Sequence, residues 1–384
     1  MDADAVTPPL PSQPTEYRCR ILLAVCGLTP QIVTETLYAL AAYPGAPFVP
    51  TEIHLITSAE GSRRAELSLL SDDLGWFHRL CEDYHLPGIT FDRRHIHVMR
   101  NASGEPMDDI RTPQDNQAAA DFITDKVRLF TSDPNCALHA SIAGGRKTMG
   151  FYLGYALSLY GRSQDRLSHV LVSEPFESSW DFFYPTPYSR VITTRDNKLA
   201  DTVDAQVTLA EIPLVRLRDE LPHRFLRESA SLTEIVAAAN RALKPPELLL
   251  EVGAQRTWMD GQPVALSPTE FAMLLWLARH TQSGKEGIDW SSQQAAHDFL
   301  ATAKQVMNPM GGDYGRIENA LSWREDKPIK LGKYFEPHKS RINAAIEDVL
   351  GKSASRRYLI ARNREDGIAR YFLPLNAEQV VIRN

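Results

Sequence analysis

The chain has 384 residues, 43% of them hydrophobic and 23% charged, with a net charge of −6. This leaves room for two or three domains of ordinary globular composition. No apolar run approaches the roughly 18 residues that a membrane span needs, so a cytoplasmic protein without a membrane partner is expected.

The net charge hides an asymmetry. From Asn240 onward 20 Lys and Arg stand against 17 Asp and Glu, whereas before it 22 stand against 31. An anion site in the first part must therefore be local rather than a broad basic face, and the last third carries the better polyanion surface. Cys19, Cys26, Cys81 and Cys136 are widely spaced without a C-x-x-C; two of them sit inside apolar strand-like runs, which suits buried free thiols in a reducing cytoplasm, and a structural zinc site is not expected. Residues 1–17 are acidic and Pro-rich, with neither the basic start nor the apolar stretch of a targeting peptide, and read as a disordered tail.

From there the elements alternate. Arg20 to Cys26 is a continuous apolar run, as for a strand buried on both faces, and Thr29-Pro30 opens a helix to Leu40 with Thr29 as N-cap. Glu52 to Thr57 reads as a strand, Ser62 to Tyr84 as one long helix, and His95 to Met99 as a short strand. An amphipathic helix from Pro113 to Phe130 precedes a strand from Cys136 to Ile142, a helix from Lys147 to Tyr160 and a strand from Ser168 to Ser173. This succession predicts an α/β fold: a doubly wound, mostly parallel, Rossmann-like sheet over residues 18–215.

The pattern then changes. Residues 216–246 read as a helical, charged linker ending at Lys244-Pro245-Pro246. Within residues 247–384, Leu248 to Val252 and Thr257 to Met259 suggest a hairpin, and Ser267, Pro268 and Glu270 form a capping box ahead of an apolar helix. Further helices are expected over Asp289 to Met307 and Pro337 to Leu350. Two strands, Arg357 to Arg362 and Ala369 to Pro374, would then be joined by a turn at Asp366-Gly367. Helices followed by a β-hairpin give the layout of a winged helix-turn-helix (α+β) domain.

Two strand ends carry chemistry. In an open α/β sheet, ligands sit at the carboxyl ends of strands, where helix N-termini offer free N–H groups. The first end is Gly27-Leu28-Thr29-Pro30-Gln31, with a tight turn, a hydroxyl and an amide. The second is Ser141-Ile142-Ala143-Gly144-Gly145-Arg146-Lys147-Thr148, where two glycines admit a close backbone approach and two cations sit at a helix start. Both favour phosphate. The second is not a Walker A loop, because Arg146 stands where Gly would precede Lys-Thr, and no G-x-G-x-x-G follows the first strand. Ser58 and Arg100, at the ends of the next two strands, complete the expected ligand-binding set.

The segments Gly27 to Leu40 and Ser141 to Gly150 resemble the CRISPR-associated Rossmann fold (CARF) proteins of type III systems, most nearly their ring nuclease branch. Val170 to Glu177 is similar to the strand and loop that follow in that family. The resemblance implies a homodimer that binds a cyclic oligoadenylate, most often the tetra-adenylate, across its two-fold axis. It further implies cleavage without a metal or cofactor, in which a ribose 2′-hydroxyl attacks the adjacent phosphate to leave a 2′,3′-cyclic phosphate. Lys147, Arg146 and Thr29 are then the expected catalytic residues: the cations stabilise phosphoryl charge, and Thr29 with Gln31 aligns the attack.

His95 and His97 share one face of a strand but lack nearby ligands in sequence, so no metal site is expected. Arg218 to His223 has the spacing of a HEPN ribonuclease motif, but Pro222 would disrupt the helix that motif needs. Leu266 to Ala278 looks like the opening helix of response-regulator DNA-binding domains. Lys339, Arg341, Asn343 and Arg357 are accordingly expected to contact double-stranded DNA, if the last domain binds DNA rather than a protein partner. Two functions remain open: a ring nuclease that ends the antiviral signal, and a cyclic oligoadenylate-responsive DNA-binding regulator that does not cleave its ligand.

Overall fold

A computed structural model describes residues 11–42, 47–241, 243–285, 287–321, 331–365 and 367–384. The chain divides into two units, residues 1–218 with 229–232 and residues 219–228 with 233–384. Among the described residues, no helix is long and apolar enough to cross a membrane.

The first unit is mixed α/β around a mostly parallel sheet. Its elements are β1 (Cys19–Val25), α1 (Gln31–Ala41), β2 (Glu52–Thr57), α2 (Ala59–Ala65), α3 (Trp76–Asp83), β3 (Ile96–Val98), α4 (Pro113–Phe130), β4 (Cys136–Ser141), α5 (Lys147–Tyr160) and β5 (Arg166–Val172). A small hairpin of β6 (Val191–Thr193) and β7 (Leu199–Asp201) precedes β8 (Val207–Ile212). The strand order is β3-β2-β1-β4-β5-β8, parallel except for β8. From β1 the chain builds outward through β2 and β3, then returns to add β4 and β5 on the other side. The switch point therefore lies between β1 and β4, the place where such folds open a crevice for ligands.

The central strands are apolar and buried because helices cover both faces: Leu22, Leu23, Ala24 and Val25 have no exposed surface. The expected helix from Ser62 to Tyr84 is instead two. A wider turn over Glu66–Leu70 ends the first, and Gly75, at φ +49, starts the second. Thr29 does not cap α1; Pro30 holds the N-cap position, which leaves the Thr29 side chain uncommitted to the helix.

The expectation of buried free thiols is corrected in part. Cys19 and Cys136 face each other in the β1–β4 register with Cα atoms 4.5 Å apart, and they form a disulfide. Cys26 and Cys81 are free, and burial pushes the Cys26 thiol up to about 12. Of the segment read as a disordered tail, residues 1–10 lie outside the described residues. Pro14–Glu16 forms a 3-10 turn, and Tyr17 is buried.

The second unit contains α6 (His223–Arg227), α7 (Leu232–Arg241, whose first residue belongs to the other unit), β9 (Leu248–Glu251), β10 (Arg256–Met259), β11 (Gln262–Val264), α8 (Pro268–Gln282), β12 (Ile288–Asp289), α9 (Gln293–Val306), α10 (Gly312–Leu321), α11 (Leu331–Ser355), β13 (Ala361–Glu365), β14 (Ile368–Phe372) and β15 (Val380–Arg383). One sheet has the order β11-β10-β9-β15 and another β12-β14-β13. The capping box of Ser267 and Glu270 starts α8 as expected. In α11, Pro337 lies inside the helix rather than at its start, and Gly351, at φ 77, breaks it near its end. Asp366, half of the expected hairpin turn, lies outside the described residues.

Candidate functional site

The loops after β1 and β4 flank the switch point and touch. A Cβ on Gly27 would lie 3.6 Å from the Gly145 Cα. Gly145 has φ +82, a conformation that glycine adopts without strain. Gly144 serves packing instead: a Cβ there would come within 3.0 Å of Ile32 Cγ1 and 3.1 Å of the Val25 carbonyl oxygen. The helix beyond, α5, has Arg146 at its N-cap and no side-chain cap, as α1 has none at Pro30. By contrast, Ser58 caps α2 and Thr112 caps α4. The two helices that start at the switch point thus leave their first N–H groups open, with the positive dipole end facing the crevice.

Two cavities meet there. The first, of 560 Å³, is lined by Gly27, Leu28, Thr29, Ser58, Gly145 and Arg146. It is completed by residues for which the sequence carried no signal: Glu60 and Arg63 on α2, and the loop Asp108-Asp109-Ile110-Arg111. Its charges are paired. Arg146 holds Asp109 through two contacts, Nε to Oδ1 at 2.7 Å and a second from its terminal nitrogen, and this guanidinium pulls the Asp109 carboxyl down to about 2. Arg63 pairs with Glu60 at 2.7 Å and reaches Asp108 at 3.7 Å. Gly61 lets α2 close on the first loop, because any side chain there would overlap the Gly27 carbonyl oxygen and Thr57 Oγ1.

The second cavity, of 440 Å³, is lined by Thr29, Gln31, Ile32, Glu35, Ala143, His169 and the loop Glu177-Ser178-Ser179-Trp180. Thr29 belongs to both cavities. Gln31 donates from Nε2 to the Trp180 carbonyl at 3.0 Å, leaving its Oε1 buried without a partner. Ser179 Oγ and His169 Nδ1 are likewise buried without a partner, on residues that line the same cavity. Glu35 is buried beside them. Burial first, and the neighbouring Glu177 second, push its carboxyl up to about 8, so it is protonated at neutral pH.

Lys147 and Thr148 are exposed on the first turn of α5, outside either cavity wall. Ser141 is fully buried and hydrogen-bonded to Thr36 at 3.2 Å, so its hydroxyl does not reach the crevice. Arg100 is also apart from the cavities; it donates to the Gly104 carbonyl at 2.7 Å within its own turn.

In the second unit the four residues expected on DNA are engaged internally. Lys339 pairs with Glu336 at 2.9 Å, Arg341 with Glu270 at 3.3 Å and Arg357 with Asp260 at 2.6 Å. Asn343 accepts from the Ile360 backbone N–H at 2.9 Å. Arg218 donates to the Tyr160 carbonyl at 2.6 Å, whereas His223 opens α6 directly after Pro222 and pairs with Asp348.

The model of the family described as CRISPR-associated protein NE0113 matches residues 29–245, more than half of the chain. The chain belongs to that family. The matched segment takes in the second loop whole and the first from Thr29 onward in this CRISPR-associated protein. No curated protein matches it. Among solved structures, it is similar to "Enterococcus italicus Csm6 bound to cyclic hexa-2'-fluoro-hexa-dAMP", at 14% identity and a TM-score of 0.26, over 79% of this chain and 52% of that one. The chain thus spans about half the length of that relative.

Proposed function

We propose that the first unit is a CARF domain of a type III system that works as a homodimeric ring nuclease on a cyclic oligoadenylate, with the tetra-adenylate as the substrate to try first. The observation that carries this reading is the pair of cavities joined at Thr29, one suited to phosphate and one to a base. The first has a glycine-rich turn, an uncapped helix start and three arginines in its wall. In the second, protonated Glu35 donates and Gln31 Oε1 accepts. That pair suits adenine, which offers an amine donor beside a ring-nitrogen acceptor, whereas guanine presents an oxygen where adenine has its amine. Leu28 on the first loop, Phe151 on α5 and Leu171 on β5 are exposed apolar side chains, which a second copy would cover.

In the proposed reaction a ribose 2′-oxygen attacks the adjacent phosphorus, the bond to the 5′-oxygen breaks, and the proton lost from the 2′-hydroxyl is matched by one gained on the leaving oxygen. The products carry a 2′,3′-cyclic phosphate and a 5′-hydroxyl. Because the nucleophile is the ligand's own, the chain's tasks are alignment, by Thr29 and Gln31, and stabilisation of phosphoryl charge, by Lys147 and Arg146. Arg146 takes part only by exchanging Asp109 for a phosphate.

The test is incubation of excess protein with cyclic tetra-adenylate in EDTA: linear products ending in 2′,3′-cyclic phosphate are expected, and a ring that stays intact would overturn the proposal. Asp109→Asn should release Arg146 and tighten ring binding by about two- to fivefold, the scale of an exposed ion pair, in a fluorescence titration. Unchanged or weaker binding would show that this pair does not gate the cavity. The DNA-regulator alternative would require Lys339, Arg341 and Arg357 to exchange Glu336, Glu270 and Asp260 for DNA phosphates.

A further inference from the structure

The other end of the sheet holds a cluster that the crevice does not use. On β2, Glu52 and His54 are two residues apart and so share a face, and Glu52 Oε2 lies 3.2 Å from His54 Nε2. His95 ends the turn before β3, and its ring centroid is 4.9 Å from that of His54. One ligating atom from each of Glu52, His54 and His95 falls within 4.8 Å of the others. These residues sit toward the amino ends of their strands, with His54 roughly 10 Å along β2 from Thr57 at the crevice.

We infer that Glu52, His54 and His95 form a binding site for a divalent cation of the zinc class. Two imidazole nitrogens and one carboxylate oxygen are the ligand set such a metal prefers over magnesium or calcium. Tetrahedral zinc spaces its ligands roughly 3.3 Å apart, so small side-chain rotations complete the site. The cation would take the place of the hydrogen-bond contact between Glu52 Oε2 and His54 Nε2.

The surrounding groups orient the ligands. Asp92 Oδ1 lies 3.0 Å from His95 Nδ1, which leaves Nε2 as the uncommitted nitrogen of that ring. His97 Nε2 lies 3.0 Å from His54 Nδ1, which leaves the nitrogen that faces Glu52. A carboxylate or other polar partner behind each ligating imidazole is the usual support of a metal site. The Phe130 ring, centred 4.4 Å from the His54 ring, covers one side. The Glu52 side chain is 43% exposed and leaves a path for water to a fourth position. His95 and His97 thus do have partners, contributed by β2, which sequence spacing could not reveal.

The test uses the full chain, stripped with a chelator, dialysed and titrated with Zn²⁺ alone by calorimetry. One Zn²⁺ per chain is expected, with a rise in Tm. Asp92→Asn should weaken binding about tenfold or more, and His54→Ala with His95→Ala should abolish it. Glu52→Gln changes a partly exposed side chain, preserves the fold, and should also weaken binding at least tenfold. Co²⁺ should give the visible absorption of a low-coordinate histidine site in the wild type and lose it in these variants. No stoichiometric binding, or equal binding in the wild type, Glu52→Gln and the double variant, would overturn the inference. Ring cleavage in EDTA is unaffected on this reading, so the two proposals stand or fall separately.

Discussion

Lys147→Ala is expected to slow cleavage of cyclic tetra-adenylate by about 100-fold or more under single-turnover conditions, while ring binding weakens by less than about tenfold. Lys147 is the first residue of α5, exposed at the positive end of an uncapped helix. Unlike Arg146, it has no carboxylate partner among the described residues, so its charge is available without breaking an ion pair. A cation that strengthens its hold as charge builds on the phosphoryl oxygens lowers the barrier more than it tightens the ground state. Lys147→Arg should restore part of the rate. Full activity in Lys147→Ala would move charge stabilisation to Arg63, Arg111 and Arg146 in the first cavity.

Glu35→Gln should make the first unit more stable at pH 8 than the wild type, with a margin that shrinks as the pH falls toward 5. The sign follows from proton counting. Burial raises the Glu35 carboxyl from an ordinary 4.5 to about 8 in the folded chain. Below pH 4.5 both states hold the proton, and the wild type has its full stability. Between 4.5 and about 8 the unfolded chain loses that proton and the folded chain keeps it, so stability falls as pH rises, by up to about 1.4 kcal/mol per pH unit. Glutamine stays neutral throughout and carries no such slope. Urea unfolding at pH 5, 6.5 and 8, followed by hydrogen exchange in β1 and β4, reads the difference; a margin that does not change with pH would mean that Glu35 is ionised in the folded protein. Because an amide N–H can still donate, Glu35→Gln should also retain ring binding above pH 8, where the wild type loses it.

The parts of this architecture that are legible in sequence are those written locally. Apolar runs marked β1 and β4, and Pro113–Phe130 and Lys147–Tyr160 end where the sequence signals place them. The two phosphate-suited loops were readable for the same reason, because glycines and cations next to a strand end need no distant partner to be recognised. What was hidden depends on pairs far apart in the chain. Asp109 and Arg146 are 37 residues apart, and Cys19 and Cys136 are 117 apart. Glu35 looks like any helical glutamate until the loop at Glu177–Trp180 closes over it. Arg357 reads as a surface cation, and only the fold turns it toward Asp260.

Thr29 stands in the wall of both cavities, and this ties their occupancies together. A group that settles in one cavity and shifts Thr29 changes the free energy of filling the other, and the effect must be equal in the reverse direction. A ligand with a phosphate in one and a base in the other is therefore scored as a whole, and a fragment that fills only one forgoes the joint term. Discrimination against mononucleotides can then arise from a single threonine, without any residue that rejects them directly.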